Sequence, residues 1–155
     1  ISRINGELAK KIIVHSALKT LVAFANSSGG TLLIGVANNK EVIGLDEEYL
    51  STSPKLLYPN RDGFGLYFDE MVRNYIGDSF SSLMSRRFLR FPIGDILIVK
   101  IDTSVNEVFL LKNEEGKPCE QLFIRNLSSS IELTGSELAK FIKNRSNIQN
   151  TSIPM

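Results

Sequence analysis

Apolar side chains recur every three or four residues near the start of the chain, which predicts a long amphipathic helix over residues 4–25. The positions that define its apolar face are Val14, Leu18, Leu21, Val22 and Ala25. The sequence Asn-Ser-Ser-Gly-Gly at residues 26–30 ends this helix, because glycine accepts the positive φ of a helix stop.

Residues 31–36 form an unbroken apolar run rather than an alternating one. A run of this kind is typical of a central strand that is covered on both faces. A short polar turn follows, and residues 41–45 are predicted to return as the partner strand of a hairpin. Residues 46–60 predict a short helix and then a loop, because they are first acidic and then rich in serine, proline and tyrosine.

The rest of the chain contains a second helix, a group of strands and a closing helix. Apolar positions at helical spacing predict a helix from Asp62 to Gly77, with one more turn over residues 78–84. Strands are predicted at residues 86–91, 96–101, 108–112 and 121–125, and a capping box at Thr134 and Glu137 begins the last helix. This order predicts an α+β fold, a mixed and mostly antiparallel sheet with helices packed on it. We expect one domain over residues 1–145 and a frayed tail over residues 146–155.

The composition is that of an ordinary globular domain, with 155 residues of which 43% are hydrophobic and 23% charged. A single cysteine, Cys119, and a single histidine, His15, exclude a disulfide scaffold and a zinc module. No apolar run approaches the ~18 residues of a membrane span, so we expect no membrane contact and a cytoplasmic location. Because the chain begins at Ile1 rather than methionine, we expect it to be a fragment of a longer one.

Residue types that often carry catalysis do not form a catalytic pattern in this chain. His15 and Ser16 are adjacent on a predicted helix, so their side chains point apart. Residues 27–30 lack the spacing of a Walker loop and precede a strand rather than a helix. The paired acids at residues 47–48 and 69–70 have no third acid at metal-clamping spacing. We therefore expect no catalytic residue, no metal ion and no cofactor.

The charge of the chain is +1 in total, but it is unevenly distributed. Residues 1–40 hold five basic residues against one acid, and residues 41–80 hold eight acids against three bases. This asymmetry suits a surface that faces a polyanion, and it is also typical of the solvated faces of ordinary helices.

Basic residues on the predicted strands are the more specific signal. Arg86, Arg87 and Arg90 lie in one strand together with two phenylalanines, and Arg125 ends the last strand shortly before three serines. Bases on strands, with aromatic residues and a serine loop, suit binding to a nucleic-acid backbone. For Arg125 an ion pair across the sheet with Glu120 or Glu132 is the structural alternative.

Two blocks of the sequence resemble a known family. Residues 23–36, followed by residues 42–45, are similar to the signature of the Schlafen-type AlbA-like domains, which bind DNA or RNA. The resemblance continues through residues 60–64 and ends with residues 122–125 and 128–130, so that it covers roughly residues 10 to 145. It implies an AlbA-like Schlafen architecture and a nucleic-acid partner.

The chain departs from the nucleolytic members of that family at two places. Those members use two glutamates from an E-S-x-x-x-E-F-K type motif and an aspartate just after the Gly-Val strand. No such motif precedes the first helix here, and Ala37 stands at the aspartate position. In addition, Leu127 and Ser128 replace the usual glycine and asparagine of the last loop. The missing motif and Ala37 favour binding without catalysis, and the change at Leu127 and Ser128 affects the conformation of the loop.

The sequence therefore predicts a non-catalytic nucleic-acid-binding module of a transcriptional regulator or a defence-type protein. The expected phosphate contacts come from Arg86, Arg87, Lys100, Lys112, Arg125, Ser128, Ser129 and Ser130. One alternative is a metal-dependent RNase whose acids lie partly outside this chain. The other is an assembly module that uses an apolar sheet edge to dimerise or to dock a fused domain.

Overall fold

The fold is described by a computed structural model over residues 2–52 and 60–151, with side chains over residues 14–49 and 60–148. The part of the loop predicted within residues 46–60 that covers residues 53–59 lies outside the described residues. In chain order the elements are α1 (Ser2–Ala25), β1 (Gly30–Ile34), α2 (Asp46–Thr52), α3 (Arg61–Tyr75), a 3-10 helix (Asp78–Leu83), β2 (Met84–Phe91), β3 (Gly94–Ile101), β4 (Leu110–Glu114), β5 (Lys117–Asn126), β6 (Ser129–Leu133) and α4 (Gly135–Thr151).

The strands form two antiparallel sheets of three strands each. The first sheet has the order β1-β3-β2, and the second has the order β4-β5-β6. The predicted α+β class is confirmed. The structure differs from the prediction in one respect, because its strands form two separate sheets instead of one.

One core joins both sheets to α1. Leu21 and Val22 of α1 are fully buried, and they belong to the same cluster as Leu97 and Val99 of β3. From the second sheet, Leu110 and Phe123 join this cluster, so α1 contacts both sheets at its C-terminal end. The apolar residues of α1 therefore recur at helical spacing because they form the face of the helix that is buried in the core.

The central strand of the first sheet is β3, and the prediction of a central β1 is wrong. Strand β1 pairs only with β3, and its residues alternate between half-buried and exposed. Leu33 faces outward with 46% of its surface exposed, whereas Leu97 of β3 is fully buried. An unbroken apolar run predicts a strand with other elements packed on both faces. Here β1 lies at the edge of its sheet, and one of its faces is exposed to solvent.

The predicted hairpin forms only next to its turn, where Val36 and Val42 make an antiparallel bridge and the N–H of Ile43 donates to the carbonyl of Gly35 at 2.8 Å. The prediction of a full partner strand over residues 41–45 is wrong. Gly35 and Gly44 adopt φ values of 99° and 86°, which are incompatible with extended strand backbone. A Cβ on Gly44 would lie 3.0 Å from the Cα atom of Gly94, so the segment crosses closely over the β2–β3 turn.

Of the three serines predicted to form a loop after Arg125, only Ser128 lies in the connection between strands. Only Leu127 and Ser128 make the turn, and Ser129 and Ser130 already belong to β6. The alternation of Ile131 and Leu133 with polar residues explains this strand, which the run of serines concealed. Of the tail expected over residues 146–155, residues 146–151 belong to α4, and residues 152–155 lie outside the described residues. No glycine or proline interrupts residues 136–151, so the helix has no reason to stop earlier.

Candidate nucleic-acid interface

Arg125 is held in place near the end of β5 by two other elements. Its Nη1 atom donates a hydrogen bond of 3.0 Å to the Oγ atom of Ser130, its partner residue on β6. Its guanidinium lies 5.3 Å from the centre of the Phe24 ring at the end of α1. Its backbone N–H donates to the Oγ atom of Ser27 at 2.8 Å. The side chain is therefore fixed by neutral groups, which leaves its charge uncompensated by them.

The alternative ion pair of Arg125 is not formed. Glu132 instead accepts a hydrogen bond of 3.2 Å from Gln121, and it pairs in register with Phe123. Among the residues that the structure describes, no carboxylate lies within ion-pair distance of Arg125. We name the group of Phe24, Ser27, Arg125 and Ser130 the Arg125 cluster.

Asn26 fixes the end of α1 against the second sheet. Its side chain is buried, with 5% of the residue exposed, and it donates to the carbonyl groups of Val108 and Phe123 at 2.8 and 3.0 Å. It also accepts a hydrogen bond of 2.8 Å from the backbone N–H of Val108. All three bonds reach across the fold to the chain around β4 and β5. Asn26 thereby sets the distance between Phe24 and Arg125.

Gly29 and Gly30 allow neighbouring groups to approach the backbone closely after α1. Gly29 has a φ of 74°, and a Cβ there would lie 2.6 Å from the carbonyl oxygen of Ile101. A Cβ on Gly30 would lie 2.7 Å from the ring of Phe24. The ring therefore packs against Gly30 while the guanidinium of Arg125 contacts it as well. Residues 23–30 and 122–130, which carry the resemblance, meet at this point of the fold.

Further positive charge lies along the contact between α1 and the second sheet. The Nζ atom of Lys19 lies 5.5 Å from the centre of the Phe123 ring. The pKa of His15 is lowered by its burial and then by the positive charges of Lys19 and Lys112. Lys112 shares a face of the sheet with Arg125, because strand residues alternate and the register pairs Lys112 with Cys119. Its ammonium forms an ion pair with Glu114.

The model of the family described as Schlafen, AlbA_2 matches residues 3–134 of the chain. This chain belongs to the Schlafen AlbA_2 family. The match runs from the start of α1 to the end of β6, so it includes every residue of the Arg125 cluster. No curated protein and no solved structure matched the chain.

Arg86 has a structural role in this Schlafen AlbA_2 domain. Its Nε and Nη2 atoms donate to the two carboxylate oxygens of Asp69 on α3, and this bond raises the pKa of Arg86. A Cβ on Gly65 would lie 2.9 Å from the guanidinium, so α3 approaches the side chain closely. The pair lines a cavity of about 560 Å³, in which Arg73 is paired with Asp78 as well. Arg86 therefore does not join the Arg125 cluster.

Arg87 and Lys100 lie on a different surface from the Arg125 cluster. Both are exposed on the face of the first sheet that points away from the core. Lys100 pairs with Ser85 on one side and Thr31 on the other, and Arg87 is its diagonal neighbour. We name these four residues the outer patch. The predicted basic contacts thus divide between the Arg125 cluster, the outer patch, Lys112 paired with Glu114, and the half-buried ion pair of Arg86 with Asp69.

The predicted serines differ in their placement. Ser130 belongs to the Arg125 cluster, while Ser129 pairs with Asn126 and points to the opposite face of the second sheet. Ser128 lies exposed in the turn. Phe24 and Ser27 also belong to the Arg125 cluster, although the sequence pattern of residues 23–30 predicts only a role in the fold. The position of both residues at the C-terminal end of a predicted helix is the one local signal for a role in a site.

Neither a metal-binding group of side chains nor a membrane-spanning helix occurs among the described residues of this family member. They contain no group of three His, Cys, Asp or Glu side chains that could hold a metal ion. None of the helices within them is long and apolar enough to cross a membrane. Ala37, at the position of the nucleolytic aspartate, lies in a tight turn in which its N–H donates to the carbonyl of Glu41 at 2.9 Å.

Proposed function

We propose that this domain binds nucleic acid without cleaving it, and that Arg125 makes the principal phosphate contact. The observation that carries the proposal is the uncompensated guanidinium of Arg125. One of its donors binds Ser130, and its other side-chain N–H groups have no hydrogen-bond partner among the described residues. A planar guanidinium that is already oriented suits a phosphate, because little side-chain entropy is lost when it binds.

The contrast with Arg86 supports this assignment. Arg86 directs two donors to Asp69, so its charge is neutralised within the fold. The guanidinium of Arg125 is oriented by the Phe24 ring and the Ser130 hydroxyl, and its backbone N–H is bound by the Ser27 hydroxyl; none of these groups carries charge. Membership of the Schlafen AlbA_2 family is compatible with a role that involves nucleic acid.

The outer patch provides a second contact in this proposal. Arg87 and Lys100 are flanked by the hydroxyl groups of Ser85 and Thr31, which also donate to phosphate oxygens. The patch lies on the face of the first sheet opposite to the core that α1 shares. A polyanion that reaches both surfaces would wrap around the domain, so the two contacts act additively.

The proposal excludes hydrolysis because Ala37 supplies no carboxylate for a metal ion. The domain is therefore expected to leave RNA and DNA intact in magnesium or manganese. Metal-dependent cleavage that co-purifies with the domain and is abolished by Glu41→Gln or Asp46→Asn would contradict this part of the proposal.

Binding is tested by fluorescence anisotropy with single- and double-stranded DNA and RNA over a series of salt concentrations. Arg125→Ala should weaken binding to all sequences alike and reduce the salt slope by about one, as expected for one lost phosphate contact. Arg125→Lys should keep the slope but lose affinity, since an ammonium cannot bind a phosphate bidentately.

Arg73→Ala is the matched control, because Arg73 is exposed on α3 and paired with Asp78. It should bind as the wild type does. Circular dichroism of each variant shows whether the fold is intact. Unchanged affinity and salt slope in a folded Arg125→Ala variant would contradict the proposed contact, and absence of binding to all four nucleic acids would contradict the function.

A further inference from the structure

Leu127 is exposed at the tip of the β5–β6 hairpin. It exposes 95% of its surface, the largest fraction among the large apolar side chains that the structure describes. It lies two residues after Arg125, in the turn that joins the two strands carrying Arg125 and Ser130. The most exposed leucine of the described chain is therefore next to the proposed phosphate contact.

The backbone of Leu127 is in the left-handed region, with a φ of 54°. A bulky side chain is uncommon there, and two-residue hairpin turns favour glycine or asparagine at such a position. Glycine would relieve the strain and remove an apolar side chain from solvent. Strained residues of this kind cluster at functional sites, where the side chain is needed for more than the fold.

The surroundings of Leu127 are polar. Asn126, Ser128 and Ser129 are all exposed, and the next apolar residue on β6, Ile131, lies beyond Ser130. A protein interface of standard size buries roughly 800 Å² on each partner around an apolar centre. A single leucine flanked along the chain by amide and hydroxyl side chains does not supply such a centre. Leu127 instead suits a partner with a narrow apolar space that is bordered by charged groups.

We propose that Leu127 inserts between stacked base pairs of duplex DNA while Arg125 and the neighbouring serines hold the sugar–phosphate backbone. This inference rests on the proposed function, since it requires that the Arg125 cluster faces nucleic acid. Apolar side chains that enter the minor groove unstack one base step and bend the duplex. The step that opens most easily is a pyrimidine–purine step such as TA.

A duplex fits the site better than a single strand does. Binding of single strands relies on exposed aromatic rings on which bases stack. In the Arg125 cluster the ring of Phe24 is covered by the guanidinium, and neighbouring Phe123 is only 4% exposed beneath Lys19. Leucine has no π-face for stacking, whereas its branched side chain has the bulk to separate two base pairs.

The test uses short DNA duplexes with 2-aminopurine placed at a central TA step, because this base becomes more fluorescent when it is unstacked. Wild-type protein should bind and raise the fluorescence. Leu127→Gly and Leu127→Asn should lose the fluorescence change and roughly tenfold or more in affinity, the contribution expected of one buried leucine. Both variants should keep the salt slope of the wild type and melt at the same or a higher temperature. Leu127→Met, which keeps an apolar side chain of similar reach, should retain the signal.

Glu115→Gly is the matched control for the backbone. Glu115 has a φ of 50° in the turn between β4 and β5, so its replacement relieves the same kind of strain without removing an apolar side chain. This variant should bind and unstack DNA as the wild type does.

The outcomes separate the insertion from the proposed function. If binding depends on Arg125 but Leu127→Gly binds as the wild type and no fluorescence change occurs, the insertion is overturned and the phosphate contact stands. Tighter binding to RNA or to single strands than to the duplex also overturns it, as does a change of oligomeric state in Leu127→Gly during size-exclusion chromatography with light scattering. If no nucleic acid binds, both proposals fail.

Discussion

The guanidinium of Arg86 and the carboxylate of Asp69 form a two-fold hydrogen-bonded ion pair, with both N···O distances at 2.7 Å. The pair connects β2 to α3, and both side chains are largely shielded from solvent. Arg87, the next residue, points to the opposite face, because successive side chains of a strand alternate. Two arginines that are adjacent in sequence therefore have different tasks in this fold.

Replacing each arginine by alanine should separate these tasks. Arg86→Ala is expected to lower the free energy of unfolding by about 2 kcal/mol, because Asp69 loses a charged partner while it remains partly shielded. Arg87→Ala should change it by less than about 0.5 kcal/mol, as is usual for exposed positions. Urea denaturation measures both values.

The same two variants should behave oppositely in nucleic-acid binding. Arg87→Ala should reduce the salt slope, whereas Arg86→Ala should leave it unchanged at temperatures where the variant is folded. An Arg86→Ala variant that is as stable as the wild type and has a smaller salt slope would contradict the structural role.

Much of this fold follows from the spacing of apolar residues. Leu18, Leu21 and Val22 are buried as the helical period of α1 requires, and Phe64, Phe68 and Val72 of α3 are buried for the same reason. Periodicity reports which residues share a face of one element. Because periodicity is a local property, it correctly predicts which face of a single helix is buried.

Placement between elements could not be predicted in this way. Whether β1 is central depends on which strand pairs beside it, and Arg86 became structural only because Asp69 and Gly65 lie opposite it. The Arg125 cluster joins residues about a hundred positions apart, and one link of it is the bond from Arg125 to Ser27. No local pattern carries that information.

The edge position of β1 predicts unequal effects of the same substitution on two strands. Leu97→Asp should unfold the domain, because a buried carboxylate without a partner costs roughly 5 kcal/mol, comparable with the total stability of many domains. Leu33→Asp should cost about 1 kcal/mol, since this side chain is 46% exposed and the carboxylate remains hydrated. Circular dichroism melting curves measure both effects. A Leu33→Asp variant that is unfolded would show that the outer face of β1 is covered in solution.

Gly29 should tolerate alanine less well than Gly116 does. Both have positive φ, at 74° and 78°, but a Cβ on Gly29 would lie 2.6 Å from the carbonyl oxygen of Ile101, whereas none of the described atoms lies within 4 Å of a Cβ on Gly116. Gly116→Ala should cost about 1 kcal/mol, the strain of the left-handed backbone alone. Gly29→Ala should cost about 3 kcal/mol, because the end of α1 must also move away from β3.

Chemical denaturation of both glycine variants measures this difference. A shift at Gly29 also displaces Phe24 and Ser27, so Gly29→Ala should weaken nucleic-acid binding while Gly116→Ala does not. Equal costs for the two variants would contradict the close approach that the structure shows.

Asp95 should make the stability of the domain sensitive to acid. This buried carboxylate accepts hydrogen bonds from Arg61 at 3.2 and 3.0 Å and from the Tyr49 hydroxyl at 2.8 Å. The bonds from Arg61, and then that from Tyr49, hold the pKa of Asp95 below its ordinary value of 3.8. Because the folded state favours the ionised form, this stabilisation is complete above the ordinary pKa and is lost as the pH falls through the lower folded value.

Asp95→Asn tests this dependence. At neutral pH it should lower the free energy of unfolding by about 2 kcal/mol, because a neutral amide replaces the charged acceptor of Arg61 and Tyr49. The difference from the wild type should shrink as the pH falls below about 5, because the unfolded-state carboxyl then takes up its proton near the ordinary pKa and the folded one does so only at a lower pH. The lowered pKa of His15 destabilises both proteins alike as the pH falls below 6.5, so it cancels in the comparison. Asp78→Asn, which alters an exposed ion pair, is the control for the loss of one carboxylate. A difference between Asp95→Asn and the wild type that stays constant over this range would show that the carboxylate gains nothing from its ionised form in the fold.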